Sequence, residues 1–206
     1  MVRLPLWLAF NRGARLLARE WDRLYFTVVK FEFFEGLSES EAQDFLESYL
    51  RSESQNIGPL LEQCSAEGVR VDYSVTSVPE LFLWIVPRLE AVRQKPDEQL
   101  PVWLRTGESY TKNLFDFDQA SACLILRASY YLGASFVREF NHLKWATGNR
   151  EAAQSNMPVV MGFRRGLEMA PILIAENLFR RVIAYPAKMD DIRAAVGCWK
   201  ADAQSS

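Results

Sequence analysis

The sequence is poor in the side chains that most enzymes and metal sites use. It contains one histidine, His142, and three cysteines that lie far apart, Cys64, Cys123 and Cys198. A zinc site needs several Cys or His ligands, so this set argues against a conventional one. No Ser/His/Asp arrangement can be proposed beyond this single histidine, and neither a Gly-x-Ser-x-Gly motif nor a glycine-rich phosphate loop is present. The sequence therefore predicts no catalytic residue, no metal and no cofactor.

Strong net charge and long apolar runs are also missing. The formal net charge of -2 excludes bulk attraction to nucleic acid or to an anionic membrane. Residues 120–136 come closest to a membrane span of about 18–20 residues, but Arg127 interrupts them. The apolar start, residues 1–10, contains Pro5 and no small-residue cleavage site, so we interpret it as mature protein. Scattered, odd-numbered cysteines indicate reduced thiols. We predict a cytoplasmic protein with no membrane partner and expect no nucleic-acid partner.

Core-forming side chains, in contrast, are abundant. Hydrophobic residues make up 49% and aromatic residues 13% of the 206 residues, which supports one sizeable core. We predict a single domain over residues 1–206, with a helical N-terminal part (1–68), an α+β core (69–200) and a flexible polar tail (201–206). The predicted fold class is α+β: a mostly helical domain whose small sheet, of about three strands or slightly more, is packed by long helices.

The clearest periodicity covers residues 117–185. A long apolar helix is predicted over 117–140, with Asp116 or Asp118 as its cap. Strands follow at 143–147 and 157–163, joined by a loop at 148–156. A second amphipathic helix over 169–185 is stopped by Pro186, and a short helix over 189–199 closes the chain.

The N-terminal half carries helix signals. Ser38 and Glu41 form a capping-box pattern before a helix whose apolar side holds residues such as Phe45 and Tyr49. Another short helix is predicted over 57–67, ended by Gly68. Residues 21–35 fit either a helix or a strand, and both possibilities stay open.

Between these helices and residue 100 the patterns are shorter. Residues 69–73 alternate between apolar and polar side chains, which predicts a strand. Ser77 and Glu80 form a second capping-box pattern. The helix that follows is predicted to kink at Pro87 and to end near residue 92.

Acidic residues are the remaining candidates for chemistry. Asp116 and Asp118 could approach a metal together, although helix capping explains both. Glu168 and Glu176 lie eight residues apart, just over two helical turns, and could share one side of the last main helix if it begins early enough. Together with His142 they define an alternative hypothesis, an enzyme of unfamiliar type.

Two segments together resemble a known group of proteins. The first, residues 71–85, carries the motif Asp72-x-Ser74-x-x-Ser77 before a helix. The second, residues 129–160, has a helix with Tyr131-x-Gly133, then a strand with Trp145 and the sequence Met-Pro-Val-Val. This order resembles a diffuse group of uncharacterised bacterial proteins, some of which are similar to immunity proteins of toxin systems. The resemblance covers residues 69–185.

This resemblance implies a non-catalytic cytoplasmic binding protein of immunity type, which neutralises a cognate protein toxin by occluding its active site. Where such relatives often carry Glu after the helix glycine, this chain has Ala134-Ser135, so no acidic site is transferred. Two further hypotheses stay open: a structural or adaptor subunit that uses the apolar segment around Trp7 and Phe10, and a homodimer.

Charge is unevenly distributed along the chain. Between Lys30 and Glu67 there are nine acidic residues and two basic ones. Many toxins that act on nucleic acids have basic clefts, and complementary charge speeds association. We therefore predict that the toxin binds this acidic stretch, with the loop 148–156 as a second contact. The predicted partner-binding residues are Glu32, Glu35, Glu39, Glu41, Asp44, Glu47, Asn149, Arg150 and Glu151.

Overall fold

The computed structural model describes residues 34–93, 115–149 and 154–204, and its elements are numbered within those residues. The helices are α1 Glu39–Arg51, α2 Glu53–Ala66, α3 Val78–Ile85, α4 Gln119–Glu139, α5 Pro171–Ala184 and α6 Asp191–Gln204. The strands are β1 Ala91–Arg93, β2 Phe115–Phe117, β3 Lys144–Thr147 and β4 Pro158–Met161. Short 3₁₀ turns lie at Val75–Ser77, Val86–Arg88, Arg164–Gly166 and Pro186–Lys188. The predicted α+β, mostly helical fold class is confirmed.

Helix α4 is the centre of the fold. Asp118 caps it, because its side chain accepts a hydrogen bond from the Ser121 backbone N–H at 2.8 Å. The helix contacts α2, α3, α5 and β4. Its length and apolar composition would suffice to cross a membrane, but 67% of the relevant stretch is buried inside the protein. Within the described residues, α4 is therefore the helix around which the core is built.

The strands form two separate antiparallel pairs instead of one sheet. β1 pairs with β2, and β3 pairs with β4 in the predicted hairpin, with Lys144 opposite Met161. Val160 also forms an isolated bridge with Met169, so a third segment lies beside β4. Because Met169 is held in this bridge, α5 begins at Pro171 and not at the predicted residue 169; proline is well tolerated in the first helical turn.

A glycine allows the hairpin to approach α4 closely. A Cβ atom at Gly133 would lie 2.1 Å from Cη2 of Trp145 and 3.1 Å from Cγ of Pro171. Such distances are far below van der Waals contact, so only glycine fits there. The pairing of this helix glycine with the strand tryptophan joins α4, β3 and the start of α5.

Several local predictions between residues 69 and 93 are wrong. Residues 69–73 do not form a strand: within the described chain no strand lies beside them, and Tyr73 adopts a left-handed φ of 60°. Ser77 stands at the N-cap position of α3, but its side chain makes no capping hydrogen bond, since its backbone is already helical within a 3₁₀ turn. Helix α3 ends at Ile85 without reaching residue 92, since Pro87 has no N–H to continue the ladder. Residues 91–93 form β1 instead.

Near the N-terminal end of the described chain the predicted caps are confirmed, whereas its C-terminal end is helical where a tail is predicted. Ser38 and Glu41 form the predicted capping box of α1, and Gly68 follows α2 with a left-handed φ of 75°. Residues 201–204, which the sequence assigns to a polar tail, belong to α6, which continues to Gln204 and buries Ala203. The predictions for residues 1–33 lie outside the described residues; Phe34 and Glu35, at the end of the ambiguous stretch 21–35, are helical.

Candidate functional site

Helix α1 has one buried side and one acidic side. Its buried side consists of Ala42, Phe45, Leu46 and Tyr49. The exposed surface of α1, with the turn before the helix, carries the carboxylates that we call the acidic face: Glu35, Glu39, Glu41, Asp44 and Glu47. Glu39 and Glu41 lie in the first turn, where negative charge interacts favourably with the helix dipole. All described residues of the predicted acidic site are therefore exposed on α1 or just before it.

Aromatic contacts fix α1 on the rest of the protein. The ring of Tyr49 stacks on that of Tyr130 in α4, with centroids 3.9 Å apart, and meets Trp145 of β3 edge-on at 5.5 Å. Phe45 meets Phe34 edge-on at 5.1 Å. Aromatic pairs of this kind contribute about 0.5–1.5 kcal/mol each beyond the area they bury. The acidic face is thus presented on an anchored helix.

Within the described chain, most carboxylates of the acidic face have no counter-charge. Glu41 is occupied in the capping box, where its Oε2 accepts hydrogen bonds from the Ser38 backbone N–H at 2.8 Å and from the Ser38 hydroxyl at 2.7 Å. These bonds lower the pKa of Glu41. Among the residues that the structure describes, no cation forms an ion pair with the other four carboxylates. These exposed carboxylates are therefore accessible to a basic partner.

The base of the loop 148–156, the second predicted contact, is held by one glutamate. Glu168 Oε2 accepts hydrogen bonds from the Asn149 backbone N–H at 3.1 Å and from the Gln154 side chain at 3.0 Å. Asn149 itself is exposed. Of the other predicted contact residues, Glu32, Arg150 and Glu151 lie outside the described residues.

Asn156 joins this loop to the acidic face. Its side-chain amide donates to the backbone carbonyls of Phe34 at 2.9 Å and Leu37 at 3.0 Å, immediately before the Ser38 cap of α1. The residue is buried and has a left-handed φ of 58°, a conformation that asparagine tolerates better than most residues. The structure therefore brings the base of the predicted loop to the start of the predicted acidic helix. Sequence reasoning missed Asn156.

The residues of the enzyme hypothesis have separate surroundings. Glu168 is engaged with the loop, and His142 lies exposed in the turn after α4, beside the ring of Phe140. Glu176 on α5 accepts a hydrogen bond from Arg180 at 2.8 Å, and Arg180 also contacts Asp116 of β2 at 3.1 Å. Burial raises the pKa of Glu176, and Arg180 offsets part of that effect. Each residue thus has a local structural partner.

A polar cluster around residues 72–77 was not anticipated. Asp72 accepts hydrogen bonds from the backbone N–H and hydroxyl of Ser74, which lower its pKa. The Tyr131 hydroxyl accepts from the Tyr73 backbone N–H at 2.8 Å and lies 2.6 Å from the Ser77 hydroxyl. Burial raises the pKa of Tyr131. The Asp-x-Ser spacing was the available signal, since Asp often bonds the backbone two residues on.

This cluster is internally satisfied and fixes the chain before α3. Glu139, at the end of α4, accepts from the Val75 backbone N–H at 2.7 Å and pairs with Lys200 of α6 at 2.8 Å. The guanidinium of Arg138 lies 3.6 Å from the centroid of the Tyr73 ring. Through these contacts the end of α4 holds the segment before α3, including the left-handed Tyr73, and is also joined to α6.

Within the described residues, no three His, Cys, Asp or Glu side chains are grouped so that they could hold a metal ion. Comparisons with protein-family models, with curated proteins and with solved structures find no match to this chain.

Proposed function

We propose that this chain is a non-catalytic cytoplasmic binding protein of immunity type, which captures a basic protein toxin and occludes its active site. The observation that carries the proposal is the acidic face: an anchored helix and the turn before it present four exposed carboxylates, Glu35, Glu39, Asp44 and Glu47, that have no counter-charge among the described residues. A surface that already held its own cations would gain much less from a basic partner.

The shape of this surface favours a groove in the partner. An exposed helix can lie in a cleft and present side chains three residues apart, as Asp44 and Glu47 are, to one wall of that cleft. A cleft lined by Lys and Arg is what an enzyme acting on nucleic acid needs. Asn149, at the adjoining loop, supplies a neutral second contact. Occupation of such a cleft excludes the substrate without any reaction by this chain.

The separate surroundings of Glu168, Glu176 and His142 support the non-catalytic part of the proposal. General acid–base catalysis requires a proton donor and a proton acceptor that both lie within reach of one substrate. Here Glu168 holds a loop and Glu176 pairs with Arg180, so both carboxylates already have local structural tasks.

Calorimetry tests the proposal. The full chain is titrated against the catalytically inactivated product of the neighbouring gene, because toxin and immunity genes are expressed together. We expect one-to-one, submicromolar binding that weakens as salt is raised. In the double variant Asp44→Lys/Glu47→Lys two attractive charges become repulsive, so we expect a loss of affinity of at least about a hundredfold, two factors of ten for two reversed charges.

The matched control is Glu62→Lys, which reverses an exposed carboxylate on α2 outside the acidic face. It changes the net charge in the same direction and should leave the affinity nearly unchanged. Equal losses in the two variants would refute the acidic face as the binding site. Absence of binding by the wild-type chain at tens of micromolar would refute this pairing of proteins.

The enzyme hypothesis predicts a different pattern. Its strongest support is Glu176, since a buried carboxylate with a raised pKa is typical of general acids. The variant Glu176→Gln should leave partner binding unchanged if the chain only binds. Loss of a measurable hydrolytic activity in Glu176→Gln, with binding absent in the wild type, would favour the enzyme.

A further inference from the structure

A second charged surface lies at the other end of the β3–β4 hairpin. There the chain enters β3 from the turn after α4 and leaves β4 towards α5. Four basic side chains are exposed at this place, and we call them the basic end: His142, Lys144, Arg164 and Arg165. Two of them precede or begin β3 and two follow β4, so only the folded hairpin brings them together.

The hairpin register determines this arrangement. Lys144 is paired with Met161, the last residue of β4. A Cβ atom at Gly162 would lie 2.7 Å from the backbone oxygen of His142, which shows how closely the two chain segments approach. Arg165 follows in a 3₁₀ turn with a left-handed φ of 61°. The exposed Leu167, with 42% of its surface accessible, adds an apolar contact beside the arginines.

The charges of the basic end are not neutralised within the described chain. No carboxylate there forms an ion pair with Lys144, Arg164 or Arg165. The other two consecutive arginines, Arg180 and Arg181, do form ion pairs. Arg180 contacts Glu176 and Asp116, and Arg181 contacts Asp191. The basic end is therefore an available cationic surface, whereas the second arginine pair is part of the fold.

We propose that the basic end binds the acidic face of a second copy of this chain. The acidic face begins at the opposite, loop end of the hairpin, where Asn156 holds Phe34 and Leu37. Four exposed carboxylates on one copy would meet one lysine, two arginines and one histidine on the other. Two such contacts related by a two-fold axis close a dimer, whereas a single contact leaves a chain of molecules.

A second copy fits this surface better than a nucleic acid does. Recognition of single strands relies on exposed aromatic rings for stacking, but Phe163 is buried, and Phe140 and Trp199 are half-buried. The net charge of -2 opposes approach of a polyphosphate as a whole. It does not oppose a contact between two oppositely charged local surfaces, which attract one another at short range.

Sedimentation velocity on the full chain tests this proposal. The sedimentation coefficient is measured over a dilution series at about 0.01 M and about 1 M salt, between which the screening length falls from about 30 Å to about 3 Å. We expect a concentration-dependent increase at low salt and a monomer at high salt. Arg164→Glu/Arg165→Glu and Asp44→Lys/Glu47→Lys should each be monomeric alone, and an equimolar mixture of the two should associate again.

Two single reversals control for net charge: Lys188→Glu, in the turn after α5, and Glu62→Lys, on α2. Both residues are exposed and neither belongs to the two surfaces, so both variants should associate like the wild type. A monomeric wild type at low salt would overturn the proposal, and so would association that survives Arg164→Glu/Arg165→Glu. Binding of a mixed-sequence oligonucleotide that this variant abolishes, without self-association, would assign the surface to phosphate instead.

This contact would cover the acidic face and so compete with the toxin of the proposed function. Its test uses one purified protein, so either proposal can fail without the other. If both hold, raising the concentration of the chain should weaken its apparent affinity for the toxin.

Discussion

One amide group links two parts of the chain that are far apart in sequence. Asn156 lies 122 residues after Phe34 and 119 after Leu37, and donates to both carbonyls. Replacing it with alanine removes both hydrogen bonds. It also leaves alanine in a left-handed conformation, which alanine adopts less readily than asparagine does.

We therefore expect Asn156→Ala to lower the free energy of unfolding by about 2–3 kcal/mol, from two hydrogen bonds and about 1 kcal/mol of backbone strain. Asn156→Gly is the matched variant, since glycine adopts this φ freely and only the hydrogen bonds are lost. Urea denaturation measures both. A smaller loss in the alanine variant than in the glycine variant would contradict the role of the backbone.

Glu176 gives the stability of the protein a defined pH dependence. Burial raises its pKa above the ordinary value of 4.5, and the hydrogen bond and charge of Arg180 offset only part of this effect. The folded state then retains the proton to higher pH than the unfolded chain does. The contribution of Glu176 to stability therefore falls as pH rises from 4.5 through its folded-state pKa.

The variant Glu176→Gln cannot lose this proton and provides the reference. We expect the free energy of unfolding of the wild type, minus that of the variant, to decrease as pH rises from 4.5 towards neutrality. Urea denaturation at a series of pH values gives both quantities. If the difference instead increases with pH, the ion pair with Arg180 outweighs the burial of Glu176.

Individual residues were predictable where their partners are close in sequence. The Ser38–Glu41 box and the Asp118 cap were found because the bonded groups lie three residues apart. The roles of Asn156 and Tyr131 were not, since their partners are more than fifty residues away. Ser77 shows the converse: its local pattern suggested a cap, but Tyr131 and Ser74 hold its hydroxyl.

At the level of elements, the contact between α4 and β3 depends on one missing side chain. In an exposed helix, Gly→Ala usually stabilises by about 1 kcal/mol. At Gly133 the added methyl group would overlap the indole of Trp145, which is itself packed against Tyr49.

We expect Gly133→Ala to destabilise the protein by about 1–3 kcal/mol, the usual cost of overpacking. Gly197→Ala is the matched control, because Gly197 is an exposed residue of α6 with nothing within 4 Å of its missing Cβ. That variant should be stabilised. Thermal or urea denaturation reveals the opposite signs, and stabilisation of both variants would contradict the close approach of Trp145.

Long amphipathic helices were predictable, and short segments were not. The pattern over 117–140 became α4, and the strands around Trp145 and Val160 became the hairpin. Residues 69–73 have a strand-like pattern but no partner strand within the described chain, so side-chain bonds determine their path. Residues 91–93, predicted as the end of a helix, pair with β2 because a strand of the same length lies beside them.

At the scale of the molecule, one cluster of buried side chains extends from Phe34 to Ala203 and includes residues of each of the six described helices. Such a continuous core predicts cooperative unfolding. We expect urea transitions followed by far-UV circular dichroism and by tryptophan fluorescence to coincide. Two separated transitions would instead divide the chain into independently folding parts.

The two parts of the candidate site were predictable from the sequence, but their adjacency in the fold was not. The acidic stretch and the hairpin loop could each be selected from charge and turn composition. Their adjacency depends on Asn156 and on the aromatic contacts of Tyr49, which no local pattern reports. The basic end was equally hidden, because Lys144 and Arg164 meet only through the hairpin register.

The central position of α4 also affects the protein while it is being made. Helices α2 and α3 leave the ribosome before α4 and can cover part of it, but α5 follows only after the hairpin. During that interval the nascent chain exposes an apolar helix of membrane-spanning length. Chains that stall or are cut within the hairpin keep this surface uncovered, so they are the forms that chaperones must hold and proteases must remove.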